Sequence, residues 1–245
     1  MITRDFFEKG KSKICISLMV KNINEVEEKL QEVILYNPDI IEFRTDYFED
    51  IYDKNKLSDM LKLIREKTKL PILFTIRTSN EGGELKIEPL KYKEILLFVA
   101  TELDVDAIDI EYMMGKDIFE DIVLKAHERK ILIIGSYHDF DKTPEEEYIY
   151  DILKNMYKNN MDVSKVALMP KSKKDVLKVI NVTEKINDEL DDILTITMSM
   201  GGFGSISRII GGYFGSVMTF GAASEASAPG QINARELREI KERLY

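Results

Sequence analysis

The chain has 245 residues, 44% of them hydrophobic, enough for one large domain with a sizeable core. Its net charge of -9 argues against general affinity for nucleic acid or anionic membrane, and no apolar stretch approaches the roughly 18 residues of a membrane span. One cysteine excludes an internal disulfide, and two histidines with no zinc-type cluster, GxGxxG or P-loop leave neither metal nor cofactor to expect.

In chain order, Met1 to Lys13 alternates charges with Phe6 and Phe7, unlike a signal peptide, so a cytoplasmic protein is expected. Short β-branched runs then predict strands at Ile14 to Met19, Ile40 to Arg44, Pro71 to Arg77, Ala107 to Tyr112, Ile131 to His138, Lys165 to Met169, Ile193 to Ser199 and Ser216 to Phe220. Cys15, between two isoleucines, reads as a small buried strand residue.

Between the strands lie amphipathic helical patterns. Leu57, Met60, Leu61 and Ile64 make one apolar stripe, and so do Tyr92, Ile95, Leu96 and Val99, and Ile149, Ile152, Leu153 and Met156. Thr143-Pro144-Glu145-Glu146 has the pattern of an N-cap followed by proline at the first helical position, and Asn233 with Glu236 repeats cap and acid before the last helix. Strand plus helix recurs about every thirty residues, eight times, which suggests an α/β fold of the (β/α)8 TIM-barrel type as a single domain over residues 1–245. An open doubly wound sheet would alternate in the same way, but its glycine-rich loop is missing after the first strand. The residues ahead of Ile14 fall outside the repeat and are expected to cover the barrel floor, with a hairpin as the candidate form.

Side chains two apart on a strand share a face. That places Glu42, Arg44 and Asp46 together, then Leu73, Thr75 and Arg77, then Asp109 and Glu111, then Ser136 and His138, and on the seventh strand Thr195, Thr197 and Ser199. The expected lumen becomes polar toward the strand C-termini, where barrel active sites assemble. Lys165, opening the sixth strand, shares parity with Ala167 and Met169 and would point inward. Desolvation disfavours the charged form of a lysine and can lower its pKa by up to roughly 3 to 5 units, leaving an amine that attacks ketones. A structural salt-bridge layer would explain Arg44 with its acidic neighbours but not a lysine, His138 and Arg77 together. His138 ends a strand at a loop and suits a general base, whereas His127 lies on the polar end of a helix and is given no role.

These stretches, taken with Glu81-Gly82-Gly83-Glu84, Lys165 to Pro170, Met200-Gly201-Gly202 with Ser207-Arg208, and Ala226 to Gln231, resemble the type I 3-dehydroquinate dehydratases from Ile14 to about Arg243. The resemblance implies dehydration of 3-dehydroquinate to 3-dehydroshikimate without a cofactor. It implies Lys165 as the Schiff-base residue, His138 as general base then acid, and Glu81 orienting His138. It places Arg208 on the substrate carboxylate and Ser17, Glu42, Arg44, Arg77, Ser227 and Gln231 on the ring substituents and carboxylate. It further implies a homodimer and a lid at Ser224 to Gln231, while Met200 to Gly204 reads as a second ligand-approaching loop. Two rivals remain: a Schiff-base aldolase holding a sugar phosphate on the glycines after the seventh strand, and a catalytically silent sugar-acid binding module.

Overall fold

The computed structural model describes residues 2–244, so Met1 and Tyr245 of the expected domain lie outside the described residues. Strands β1 (Lys13–Leu18), β2 (Ile40–Arg44), β3 (Ile72–Thr75), β4 (Ala107–Glu111), β5 (Leu132–Asp139), β6 (Val163–Leu168), β7 (Thr195–Ser199) and β8 (Met218–Ala222) are parallel and neighbour one another in chain order. β8 returns to β1, pairing Met218 with Lys13. The ring closes at a parallel bridge between Thr195 and Ser216, where the Val217 amide donates to the Thr195 carbonyl at 2.8 Å. Serine hydroxyls finish this seam, Ser216 Oγ accepting from the Thr197 amide at 3.1 Å and Ser207 Oγ from the Ser199 amide at 2.9 Å. A short β9 (Ile232–Asn233) extends the sheet beside β8.

Helices α1 (Val26–Leu35), α2 (Lys54–Lys67), α3 (Pro89–Glu102), α4 (Lys116–Glu128), α5 (Glu146–Lys158), α6 (Lys173–Glu189), α7 (Gly201–Ile210) and α8 (Ala234–Leu244) follow the eight barrel strands. Each buries its apolar stripe: Leu57, Met60, Leu61 and Ile64 of α2 pack with Phe43 and Phe74 of the sheet's outer face. Burying one such side chain contributes roughly 1.5–3 kcal/mol, so this layer supplies much of the driving force. Among the described residues no helix is long and apolar enough to cross a membrane.

Inside the ring lies a second cluster, in which Cys15, Ile40, Leu73, Ala107, Ile134 and Val163 meet Ile2 and Phe7. The N-terminal segment therefore closes the floor, and Arg4 ties it down through the carbonyls of Asp162, at 2.5 Å, and Asp192. Its hairpin is reduced to a bridge between Glu8 and Lys11.

Three local expectations are corrected. Thr143 does not cap α5: its hydroxyl donates to the Met169 carbonyl at 3.0 Å, and the helix begins at Glu146 behind Glu145. Met200 to Gly204 is no loop, because α7 starts at Gly201, its open N-terminal turn buttressed where Gly204 passes so close that a Cβ would stand 2.3 Å from the Ser199 backbone. On β7 the parity is reversed. Thr197 Oγ1 meets Thr183 Oγ1 of α6 at 2.6 Å and Thr195 Oγ1 accepts from Asn187 at 2.8 Å, so these hydroxyls face the helix layer, while Ile196, Met198 and Met200 join the inner cluster. The Asn233 cap is present, accepting the Arg235 amide at 3.0 Å.

Candidate active site

β6 begins at Val163, two residues before the expected start, and this places Lys165 within the strand with only 3% of its surface exposed. Its neighbours in the sheet are Ser136 of β5 and Ile196 of β7. Lys165, His138, Glu81, Glu42, Arg44, Arg77, Arg208, Ser227 and Gln231 line one cavity of about 450 Å³ at the C-terminal end of the strands. Residues from β2, the segment after β3, β5, β6, α7 and the loop after β8 thus converge at the end of the barrel where the strands finish.

Lys165 is buried but not isolated. Nζ lies 2.9 Å from Asp109 Oδ2 and 4.6 Å from the centroid of the Phe220 ring. Asp109 Oδ1 accepts Arg77 Nη2 at 2.7 Å and Ser136 Oγ at 2.6 Å. Burial alone would raise this carboxyl, but Arg77, Lys165 and Ser136 hold it down to about 2. Arg77 reaches on through Nη1 to Glu111 at 3.1 Å and Glu81 at 3.3 Å, while Glu111 is further fixed by the Thr78 amide and hydroxyl, both at 2.7 Å. Removing any member would strand a buried charge, typically at a cost of about 3–5 kcal/mol.

His138 is oriented by Glu81. One oxygen, Oε2, lies 2.8 Å from Nδ1 and accepts the His138 amide at 3.1 Å, while Oε1 has no hydrogen-bond partner among the described residues. Burial and the cations Arg77, Lys165 and Arg44 push the imidazole well below its usual range, so it is neutral near pH 7. Burial likewise pushes the Glu81 carboxyl up, against the pull of Arg77. Gly82 follows in a left-handed conformation, φ 80°, and the Phe140 ring packs where its Cβ would be, 2.3 Å from the nearest ring atom.

The arginines differ sharply. Arg44 forms a bidentate pair with Asp46 at 2.8 and 2.7 Å and stacks over Tyr47 at 5.2 Å. Arg208, 1% exposed, has no carboxylate partner among the described residues. Nη1 contacts Met198 Sδ at 3.3 Å and the Phe220 carbonyl at 3.5 Å, Nη2 the Pro229 carbonyl at 3.2 Å, and Nε has none. Burial with no opposing charge brings its guanidinium down to about 10, still cationic at neutral pH. A buried, unpaired cation on a cavity wall is a seat for an anion.

The segment Ser224 to Gln231 lies across the cavity. Ser227 Oγ is 2.8 Å from Ser17 Oγ and 2.9 Å from Gln231 Nε2, and Ser17 donates to Glu42 at 2.5 Å. Ser17 does not itself line the cavity; it reaches it through this chain of hydroxyls. At the other end of the segment the Pro229 carbonyl accepts the Gly201 amide at 3.0 Å, so the first amide of α7, which a phosphate would need, is taken. Strand parity turns Asp109 inward without assigning it a role, and Phe220 and Met198, which also line the cavity, carry no signal of their own because apolar side chains read as core rather than site. His127 bonds Asp162 at 2.9 Å and does not line the cavity.

A family model described as type I 3-dehydroquinase matches residues 14–244. The 3-dehydroquinate dehydratase of Clostridium botulinum is 41% identical over 240 residues, 96% of this chain and 93% of that protein. That of Bacillus licheniformis is 40% identical over 237 residues, again 96% and 93%. Among solved structures, the type I enzyme of Clostridium difficile, with covalently modified comenic acid, superposes with a TM-score of 0.93 at 37% identity, covering 97% of this chain and 94% of that one. The 3-dehydroquinate dehydratase of Geobacillus kaustophilus gives 0.94 at 31% identity, covering 100% and 95%. Matched over nearly its whole length by model, sequence and structure alike, the chain belongs to the type I 3-dehydroquinase family.

Proposed function

We propose that this chain, as a type I 3-dehydroquinate dehydratase, dehydrates 3-dehydroquinate to 3-dehydroshikimate in the shikimate pathway through an imine on Lys165. One observation carries the reading: a single cavity joins a buried amine, a neutral imidazole and a guanidinium without an anionic partner. The covalently modified comenic acid in the Clostridium difficile relative supports covalent chemistry in that enzyme.

Lys165 rests ion-paired to Asp109, so it must shed a proton before it attacks. Asp109, held at about 2, does not accept it; the neutral imidazole of His138 does. The amine adds to the ketone, His138 returns the proton it took to the carbinolamine hydroxyl, which leaves as water, and the iminium so formed draws electrons from the adjacent C–H bond while the imidazole is neutral again. His138 removes that proton and returns one to the hydroxyl β to the former ketone, which leaves as water. Hydrolysis of the conjugated imine frees product and lysine. Glu81 keeps the ring in position, and Arg208 takes both oxygens of the substrate carboxylate. Glu42, Arg44, Arg77, Ser227 and Gln231 hold the remaining substituents, with Ser17 acting through Ser227 and Glu42.

The reading includes one catalytic domain over the whole chain, a cytoplasmic setting and a homodimer. Exposed Phe203, Ile206 and Tyr213, on and just after α7, supply apolar surface for a second copy, which equilibrium sedimentation tests. For the chemistry, incubation with 3-dehydroquinate and borohydride should leave a reduced adduct on Lys165. An unmodified mass from active enzyme would refute the imine.

A further inference from the structure

We propose that Asp109, with the ring of Phe220 on the same ammonium, is the counter-ion that keeps the Lys165 imine protonated during catalysis, an inference that rests on the imine reading above. An iminium and the ammonium it replaces carry their charge at the same nitrogen. That nitrogen already lies 2.9 Å from Asp109 Oδ2 and 4.6 Å from the Phe220 centroid. An iminium keeps one N–H, and Asp109 Oδ2 is the oxygen placed to accept it.

Asp109 is also unable to follow other partners. Its second oxygen is occupied by Arg77 Nη2 and Ser136 Oγ, and its side chain is wholly buried. It remains anionic at any working pH. The need for such a group follows from what else faces the nitrogen. Arg77 after β3, Arg44 at the end of β2 and Arg208 on α7 all favour losing the imine proton. Glu42 on β2, Glu111 on β4 and Glu81 oppose them, but each is bonded elsewhere, and His138 on β5 and Cys15 on β1 are neutral. Without Asp109 the imine would be a weak electron sink, because a neutral C=N draws far less charge from the neighbouring C–H than C=N–H⁺. An opposite charge at this distance raises the pKa of a cationic acid by roughly one to three units.

Asp109→Asn keeps the shape and removes the charge. With 15N-labelled lysine and 3-dehydroshikimate as the ligand, the imine nitrogen of the wild type should stay protonated to a pH at least about one unit above that of D109N. The alkaline limb of kcat should move down by a similar amount, a shift that a merely structural residue would not produce. Identical nitrogen titrations in both proteins would overturn the counter-ion while leaving the imine intact. Absence of any borohydride adduct on wild-type Lys165 would remove both readings. If D109N does not fold, the wild-type adduct decides against a free imine of butylamine and 3-dehydroshikimate: a higher titration in the protein supports the proposal, and an equal or lower one overturns it.

Discussion

Glu81 Oε2 receives two nitrogens of one residue, the Nδ1 edge of His138 at 2.8 Å and its backbone amide at 3.1 Å. This double attachment leaves Nε2 as the ring atom free to act. Because burial and nearby cations depress the imidazole, the free enzyme should hold its active, neutral base down to pH values below about 6.5, and kcat/KM should fall only at lower pH. Burial raises the Glu81 carboxyl, so its part is to hold Nδ1 and fix the ring rather than to supply a counter-charge. Glu81→Ala should therefore lower kcat while leaving the acid limb of kcat/KM near its wild-type position, and an unchanged kcat would contradict this orienting role.

His138→Ala separates imine formation from proton transfer. The ion pair of Lys165 with Asp109 survives this change, so slow adduct formation should still be detectable by borohydride trapping. Turnover should fall at least about 100-fold, the usual scale for losing a general base. Near-normal turnover would remove His138 from its part in the reaction.

Arg208 is asked to be stable and functional at once, and the two demands conflict. Its guanidinium lacks a carboxylate partner while nearly fully buried, which costs the unliganded fold. Arg208→Met should stabilise the free protein by at least about 1 kcal/mol, roughly 2–4 °C in Tm at this size. The same change should raise KM roughly ten- to hundredfold, since a hydrogen bond to a charged group is worth about 1.5–3 kcal/mol. Thermal melts and steady-state kinetics on one preparation check both, and a lower Tm would mean that the cation is not strained in the absence of ligand.

The segment over the cavity depends on Gly230, whose φ of 77° suits glycine and whose Cβ would stand 2.2 Å from the Gly201 carbonyl oxygen. Gly230→Ala should unseat Pro229 and Ser227 from their partners. The expected result is a raised KM with faster proteolysis between Ser224 and Gln231, and wild-type values for both would show that the segment seats without this contact.

The strand and helix alternation was legible because burial on both faces writes β-branched runs into the parallel strands, and amphipathic stripes into the helices that cover them. The polar lumen was legible on β2 through β6 for a related reason: Glu42, Arg44, Arg77, Asp109, His138 and Lys165 are ionisable groups between apolar neighbours, and such groups face a site or one another. What escaped was set by tertiary partners. Thr143 has the composition of a cap, yet the Met169 carbonyl claims its hydroxyl. The glycines of Met200 to Gly204 resemble a loop, yet close contact with the end of β7 makes them the start of α7.

β7 offers the sharpest test of that distinction. Polarity alone assigned Thr195 and Thr197 to the lumen, but α6 presents Thr183 and Asn187 four residues apart, and these satisfy the two hydroxyls on the outer side. Met198 then takes the inner position, on the cavity wall and against Arg208 Nη1. Thr197→Val should thus cost about 1 kcal/mol of stability, one buried hydrogen bond, with kcat and KM unchanged. Met198→Ala should both destabilise by about 2–5 kcal/mol and raise KM, because the space it leaves opens beside the guanidinium. Urea unfolding together with kinetics on the two variants distinguishes the faces, and a kinetic defect confined to Thr197→Val would restore the polar parity that the structure reverses.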